Sequence, residues 1–213
     1  MAWSDVSTLE QLVEIVGEPS QLVIDKVRDH LAEVDRVWLA ASPFCMLATA
    51  DALGNVDNSP KGDPAGSLVH IIDERTIAIA ERPGNRRVDG YRNVLQNPHI
   101  GLTFLIPGRG DTLRINGRAR LVGEADFFDQ MIVKGHRPIL AVIVEIEEVF
   151  FHCAKAFLRS NLWEPQTWQY GAGVPPRAEI AAQVEAGGRT REQLQEHYLP
   201  ENYEKGLYGA ANG

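Results

Sequence analysis

The chain has 213 residues, 44% hydrophobic and 23% charged, with a formal net charge of -8 at pH 7. That length suits one well-cored domain with extensions. The acidic balance argues against a nucleic-acid or anionic-membrane partner, since either calls for a basic surface stripe, so any bound anion must be held by a local cluster. Two cysteines, Cys45 and Cys153, give neither a disulfide framework nor C-x-x-C metal spacing, so no metal site is expected and the compartment is read as reducing. The start, Met1 to Asp5, lacks the basic flank and apolar core of a secretion signal, and the longest apolar run, Ile139 to Val144, is too short to span a bilayer. A cytoplasmic location is the simplest expectation.

Residues 6 to 40 read as two helices. Thr8-x-x-Gln11 has the form of a capping box, Gly17-Glu18-Pro19 breaks the pattern, and Val23, Val27, Leu31, Val34 and Val37 recur at helical spacing. From Phe44 the period changes. Met46 to Ala50, Val56 to Ser59, Ser67 to Ile72 and Thr76 to Ala80 are short, strand-like and separated by turn-forming loops. Val88 to Gln96 reads as a helix with an apolar stripe of Val88, Tyr91, Val94 and Leu95, closed by Asn97-Pro98. Strands resume with His99 to Ile106 and Thr112 to Val122, a helix is expected from Glu124 to Val133, and Leu140 to Phe151 reads as a long final strand. Seven strands joined mainly by short turns favour an antiparallel barrel over a parallel βαβ sheet.

The last fifty residues differ in character. Trp163, Pro165, Trp168 and Tyr170 precede Gly171-Ala172-Gly173-Val174-Pro175-Pro176, and two short helices follow, one behind the capping box Thr190-x-x-Gln193. The expected organisation is a helical extension over 1–40, a barrel over 41–163 and a helical tail over 164–213. With too few apolar residues for a core of its own, the tail is expected to pack on the barrel or on a second subunit.

The stretch Glu81-Arg82-Pro83-Gly84-Asn85-Arg86-Arg87 falls between the fourth strand and the helix that follows. With Asn85 as helix cap, the unpaired amides of the first turn and two guanidinium groups face one point, a geometry that suits a dianionic phosphate ester. Taken alone, the seven residues fit equally a simple Gly-Asn turn followed by solvated arginines.

Further segments occur in order around this turn: Met46-Leu47-Ala48-Thr49-Ala50-Asp51, Gly54-Asn55-Val56, Ser59-Pro60-Lys61-Gly62-Asp63, then Asn93 with Asn97-Pro98, and Thr112-Leu113-Arg114-Ile115-Asn116-Gly117. Together they resemble the pyridoxamine 5'-phosphate oxidase-like family of FMN-binding split barrels, over residues 40 to 163. The resemblance implies a mainly β fold with flanking helices, an antiparallel split β-barrel, a homodimer, and FMN in a groove at the subunit interface. It places the FMN phosphate at Asn58, Ser59 and Lys61 and at Asn85, Arg86 and Arg87. It also places Thr112, ahead of Gly117, as a hydrogen-bond partner of the flavin ring. Strand alternation puts Arg114 on the face of Thr112, either as a cation near the flavin pyrimidine edge or in an ion pair with an acidic residue.

Lys155, Arg159 and Ser160 fall where family members reach toward the flavin, often that of the partner subunit. Their spacing puts Lys155 and Arg159 on one face of a helix, to hold an anionic substrate or outer flavin contacts, with a solvated turn as the alternative. Trp163 reads as a packing anchor or a ring beside the isoalloxazine. His152 and Cys153 are read as packing residues, and His136 as part of a surface loop. The chain departs from true pyridoxamine phosphate oxidases at the first phosphate segment and at their C-terminal Arg/His substrate motif. The functional expectation is therefore an FMN-dependent oxidoreductase, flavin reductase or oxidase-like, that acts on a small molecule and draws on NADH, NADPH or another small donor. A non-catalytic flavin-binding module, or a split-barrel protein that binds haem or F420, is the alternative.

Overall fold

One antiparallel sheet of seven strands organises the chain: β1 (Phe44–Ala50), β2 (Val56–Gly62), β3 (Val69–Ile71), β4 (Thr76–Ala80), β5 (His99–Leu105), β6 (Thr112–Val122) and β7 (Ala141–His152). The computed structural model describes residues 3–168, 173–185, 187–204 and 207–208. The strands lie in the order β2-β1-β5-β6-β7-β4-β3, and β2 and β3 form its two edges, so the barrel is split rather than closed.

Register follows from alternation, because a one-residue slip would turn every apolar side chain outward. Lys61, Cys45, Phe104, Leu113 and Phe151 form one row across β2, β1, β5, β6 and β7. The adjacent row, Pro60, Met46, Thr103, Arg114 and Phe150, faces the other way. The first face is the core, where Cys45, Leu47, Leu102, Phe104, Leu113 and Ile115 are buried. Burying a side chain of this size contributes about 1.5–3 kcal/mol. A bulge at Asn116/Gly117 bends β6, and a Cβ at Gly117 would overlap the Glu145 carbonyl, so glycine is required by the close approach.

The N-terminal region holds three helices rather than the two expected: α1 (Leu9–Val16), α2 (Gln21–Asp25) and α3 (Glu33–Ala41). The Thr8–Gln11 capping box forms as the spacing predicts. The apolar run from Val23 to Val37 is interrupted because Arg28 leaves the helix to pair with the backbone of Val149, at 3.1 and 2.6 Å. The Arg28 side chain then holds the fully buried carboxylate of Asp35 at 2.5 and 3.0 Å. A local period cannot anticipate a backbone partner more than a hundred residues away.

Between β4 and β5, α4 (Asp89–Val94) packs on the core side of β1 and β2. Gly90 makes that approach possible, since a Cβ there would lie 3.1 Å from Asp57 Oδ2 and 3.3 Å from Thr49 Oγ1. Asn93 Nδ2 donates to Thr49 Oγ1 at 3.2 Å and fixes the same contact. The helix expected at 124–133 is a shorter 3-10 turn over Asp126–Met131, whose Phe128 and Met131 pack on Ala78, Ala80, Ala141 and Ile143.

After β7 come α5 (Lys155–Ser160), α6 (Arg177–Val184), α7 (Arg191–His197) and α8 (Pro200–Tyr203), with the Thr190–Gln193 capping box in place. The tail does have a small apolar cluster, in which Ala178, Ala181 and Leu194 pack with Tyr198 between α6 and α7. Tyr170, Gly171 and Ala172 lie outside the described residues. His152 and Cys153 are exposed, which overturns the packing reading for that pair, because both follow the last buried position of β7. Among the described residues no helix is long and apolar enough to cross a membrane.

Candidate anion-binding site

The edge strand β2 alternates sharply: Asp57, Ser59 and Lys61 are half-buried on the core side, while Val56, Asn58, Pro60 and Gly62 are exposed. Asp57, Ser59 and Lys61, with the end of β4, loop 81–88 and α4, enclose a cavity of about 630 Å³. That size falls within the ordinary range for small-molecule sites.

Its floor is a set of satisfied ion pairs. Lys61 Nζ lies 2.7 Å from Glu81 Oε2, and the Tyr91 hydroxyl donates to the same oxygen at 2.6 Å, with Lys61 4.6 Å from the Tyr91 ring centroid. Burial, reinforced by the Glu81 carboxylate, pushes the Tyr91 phenol far above its ordinary value, so it remains a donor. Beside this triad, Arg82 Nε pairs with Asp63 Oδ2 at 2.8 Å and its Nη2 donates to the Met131 carbonyl at 2.9 Å. The Asp63 side chain is only 2% exposed.

The rim differs. Asn85 Oδ1 accepts from the Arg87 amide at 3.0 Å, so Asn85 closes a local turn and does not cap the helix. The cap position belongs to Val88, and α4 begins three residues later than that reading required. Two non-glycine residues, Arg86 at φ 60° and Val88 at φ 43°, hold left-handed backbone here. Such strain, of order 1–3 kcal/mol at each residue, concentrates at functional loops. Arg87 pairs with Asp89, yet its side chain is 78% exposed.

Lys61, Arg82, Arg86 and Arg87 line the cavity together with Asp57, Asp63, Glu81 and Asp89, four basic and four acidic residues. The sequence reading recognised the cations and missed the carboxylates opposite them. An entering anion must therefore compete with internal partners. The exposed Arg87–Asp89 pair is weakly held and exchangeable, whereas the part-buried Lys61–Glu81 and Arg82–Asp63 pairs are costly to break. Of these three cations Arg87 is the one most readily released toward the cavity, and Lys61 and Arg82 hold the floor.

The residues singled out in the sequence sort into three places. Ser59, Lys61, Asn85, Arg86 and Arg87 line the cavity. Asn58, Thr112 and Arg114 share the opposite face of the sheet, with Thr112 buried and the Arg114 guanidinium 5.1 Å over the Phe150 ring. Lys155, Arg159, Ser160 and Trp163 lie on or just after α5, beyond the far end of β7. Four strand ladders separate Lys61 from Phe151, roughly 19 Å around the sheet at ~4.8 Å per strand. Lys155 and Arg159 are exposed, Ser160 bonds the Phe157 carbonyl within its helix, and Trp163 anchors the chain by donating to the Arg109 carbonyl at 2.7 Å while stacking on Phe157. Tyr208, which also lines the cavity, carried no signal in the sequence.

An antiparallel split barrel with a small-molecule-sized cavity at its edge strand defines the class of this protein. The sequence matches the family model described as pyridoxamine 5'-phosphate oxidase over residues 31–153, more than half of the chain, and the protein belongs to that flavin-binding family. Among solved structures it is similar to HupZ of Group A Streptococcus, with 19% identity, a TM-score of 0.46 and coverage of 57% of this chain and 93% of that one. It is also similar to a protein from Clostridium acetobutylicum related to general stress protein 26 (14% identity, TM-score 0.43, coverage 56% and 86%), and to an F420 reductase (15% identity, TM-score 0.41, coverage 57% and 98%). A comparison with curated proteins returns no match.

Proposed function

We propose that the protein is an FMN-dependent oxidoreductase acting on a small molecule, with the FMN phosphate seated in the cavity beside β2. The observation that carries this reading is the rim: Ser59, Asn85, Arg86 and Arg87 line one opening, and the salt bridge that Arg87 makes among the described residues, to Asp89, is exposed. The donor set fits a phosphate ester, which takes charge-assisted hydrogen bonds from guanidinium, amide and hydroxyl groups alike. When bound, FMN supplies the hydride or electron transfer itself. This chain's residues do the rest. Arg87 turns from Asp89 to the phosphate, Ser59 offers a hydroxyl from the strand, and the Lys61–Glu81–Tyr91 triad keeps the floor rigid.

The opposite face, with Asn58, Thr112, Arg114 and the half-buried Met46, Thr103 and Phe150, is assigned in this reading to a homodimer. Because β2 is an edge strand, a ligand that starts in the cavity can pass over that edge toward the second subunit. There Thr112 and Arg114 are the candidates for the flavin ring, and Lys155 and Arg159 for an anionic substrate. NADH or NADPH is the proposed electron donor.

The decisive experiment is an absorption spectrum of the purified protein followed by acid release and mass identification of the chromophore, with FMN titration of any colourless preparation. FMN released or bound in a dimer, with reduction by NADH or NADPH, supports the proposal. A released deazaflavin, a haem Soret band, or no binding at all overturns it.

A further inference from the structure

The C-terminal segment returns to the barrel at Tyr208. Its hydroxyl donates to Asp63 Oδ1 at 2.9 Å, on the carboxylate whose other oxygen carries Arg82. Its ring lies 5.9 Å from the Arg82 guanidinium, 5.2 Å from Lys134 Nζ and 6.4 Å from the His136 ring. Tyr208 also lies between two spaces, since a second cavity of about 640 Å³ between loop 81–88 and residues 135–140 shares it as a wall. The first cavity, about 630 Å³ with Tyr208 among its lining residues, is not filled by the ring. The ring is therefore a wall and not a plug.

We propose that Tyr208 is a positioning residue of the anion site: it donates to the second oxygen of Asp63, holding that carboxylate in its ion pair with Arg82, and closes the side of the cavity so that the ligand leaves slowly. The proposal rests on reading the cavity as a phosphate site and adds to it the regulation of ligand exit by the tail. The hydroxyl acts through Asp63 and Arg82, and the ring acts as a barrier. Loss of the first weakens binding, and loss of both also speeds release.

The test uses the full chain as wild type, Tyr208→Phe and Tyr208→Ala, with FMN binding followed by stopped-flow fluorescence. Hydrogen exchange is measured on the same three proteins without FMN. Tyr208→Phe is expected to raise Kd roughly 2- to 10-fold, and Tyr208→Ala more, with the increase in the dissociation rate and no change in the melting temperature. In the free protein, Tyr208→Ala is expected to accelerate exchange in residues 81–88 while leaving β5 and β6 unchanged. Unchanged dissociation, or tighter binding in Tyr208→Ala, overturns the proposal. If wild type binds no FMN, the phosphate reading falls separately. Exchange in the free protein then decides the wall, and unaltered protection of residues 81–88 in Tyr208→Ala overturns it.

Discussion

Arg87 and Lys61 both line the cavity, yet the structure assigns them opposite consequences on mutation. The Arg87 side chain is 78% exposed and its salt-bridge partner among the described residues is Asp89, so Arg87→Ala removes an exposed, solvent-screened pair and should leave the stability of the fold almost unchanged. In the complex it removes charge-assisted hydrogen bonds to a phosphate, about 1.5–3 kcal/mol, or roughly 10- to 150-fold in Kd. Lys61 is 18% exposed, and Lys61→Ala leaves Glu81 part-buried without its cation, a loss of order 1–3 kcal/mol in folding. Asp89→Asn has the reverse sign for binding, because it releases Arg87 from its internal partner, and FMN should bind about 2- to 5-fold more tightly. FMN fluorescence quenching gives the affinities, and thermal unfolding of the same samples gives the stabilities. An unaltered Kd in Arg87→Ala, or a weakened one in Asp89→Asn, would refute the assignment of Arg87 as the exchangeable cation.

The strained rim makes a second prediction: Val88→Gly, at φ 43°, should raise stability by about 1 kcal/mol in urea unfolding, and a loss would show that the valine side chain outweighs its backbone. Asp35→Ala should lower stability by about 3–5 kcal/mol, since it strands the Arg28 guanidinium that links the N-terminal arm to α3, and circular dichroism melts would show this directly. Burial pushes the Cys45 thiol from 9 up to about 12, while Cys153 is exposed, so a thiol reagent at pH 8 should label one cysteine quickly and the second only after denaturation. The same shift makes stability fall as pH rises. Below pH 9 Cys45 is protonated in folded and unfolded chains alike, and between 9 and about 12 only the unfolded chain ionises, a loss of about 4 kcal/mol across the window in alkaline denaturation.

Much of the barrel was legible because local pattern and burial coincide there. Thr76 to Ala80 and Thr112 to Val122 were read at the bounds that β4 and β6 adopt, and both Thr-x-x-Gln capping boxes form. Alternation alone put Arg114 on the face of Thr112, and the structure has the residues between and beyond them, Leu113 and Ile115, buried in the core on the other face. The readings that failed did so where a distant contact outweighed local preference. Val149 draws Arg28 out of a helical run, and Asn85 turns back on Arg87 four residues before the helix it was expected to cap.

By itself, then, the sequence determined the antiparallel strand set, the alternation of faces along β6, and the clustering of Arg86 and Arg87 beside a turn, because each depends on residues within a few positions of one another. The tertiary structure alone decided the electrostatics of the site. Lys61 meets Glu81 across 20 positions, Arg82 meets Asp63 across 19 and Tyr208 meets Asp63 across 145, so no local period registers these pairs. Sheet order decided the remainder: it set Ser59 and Lys61 on one face, Thr112 and Arg114 on the other, and α5 four ladders away. Side-chain direction along a strand is a property of the chain, whereas which strands become neighbours is a property of the packed whole.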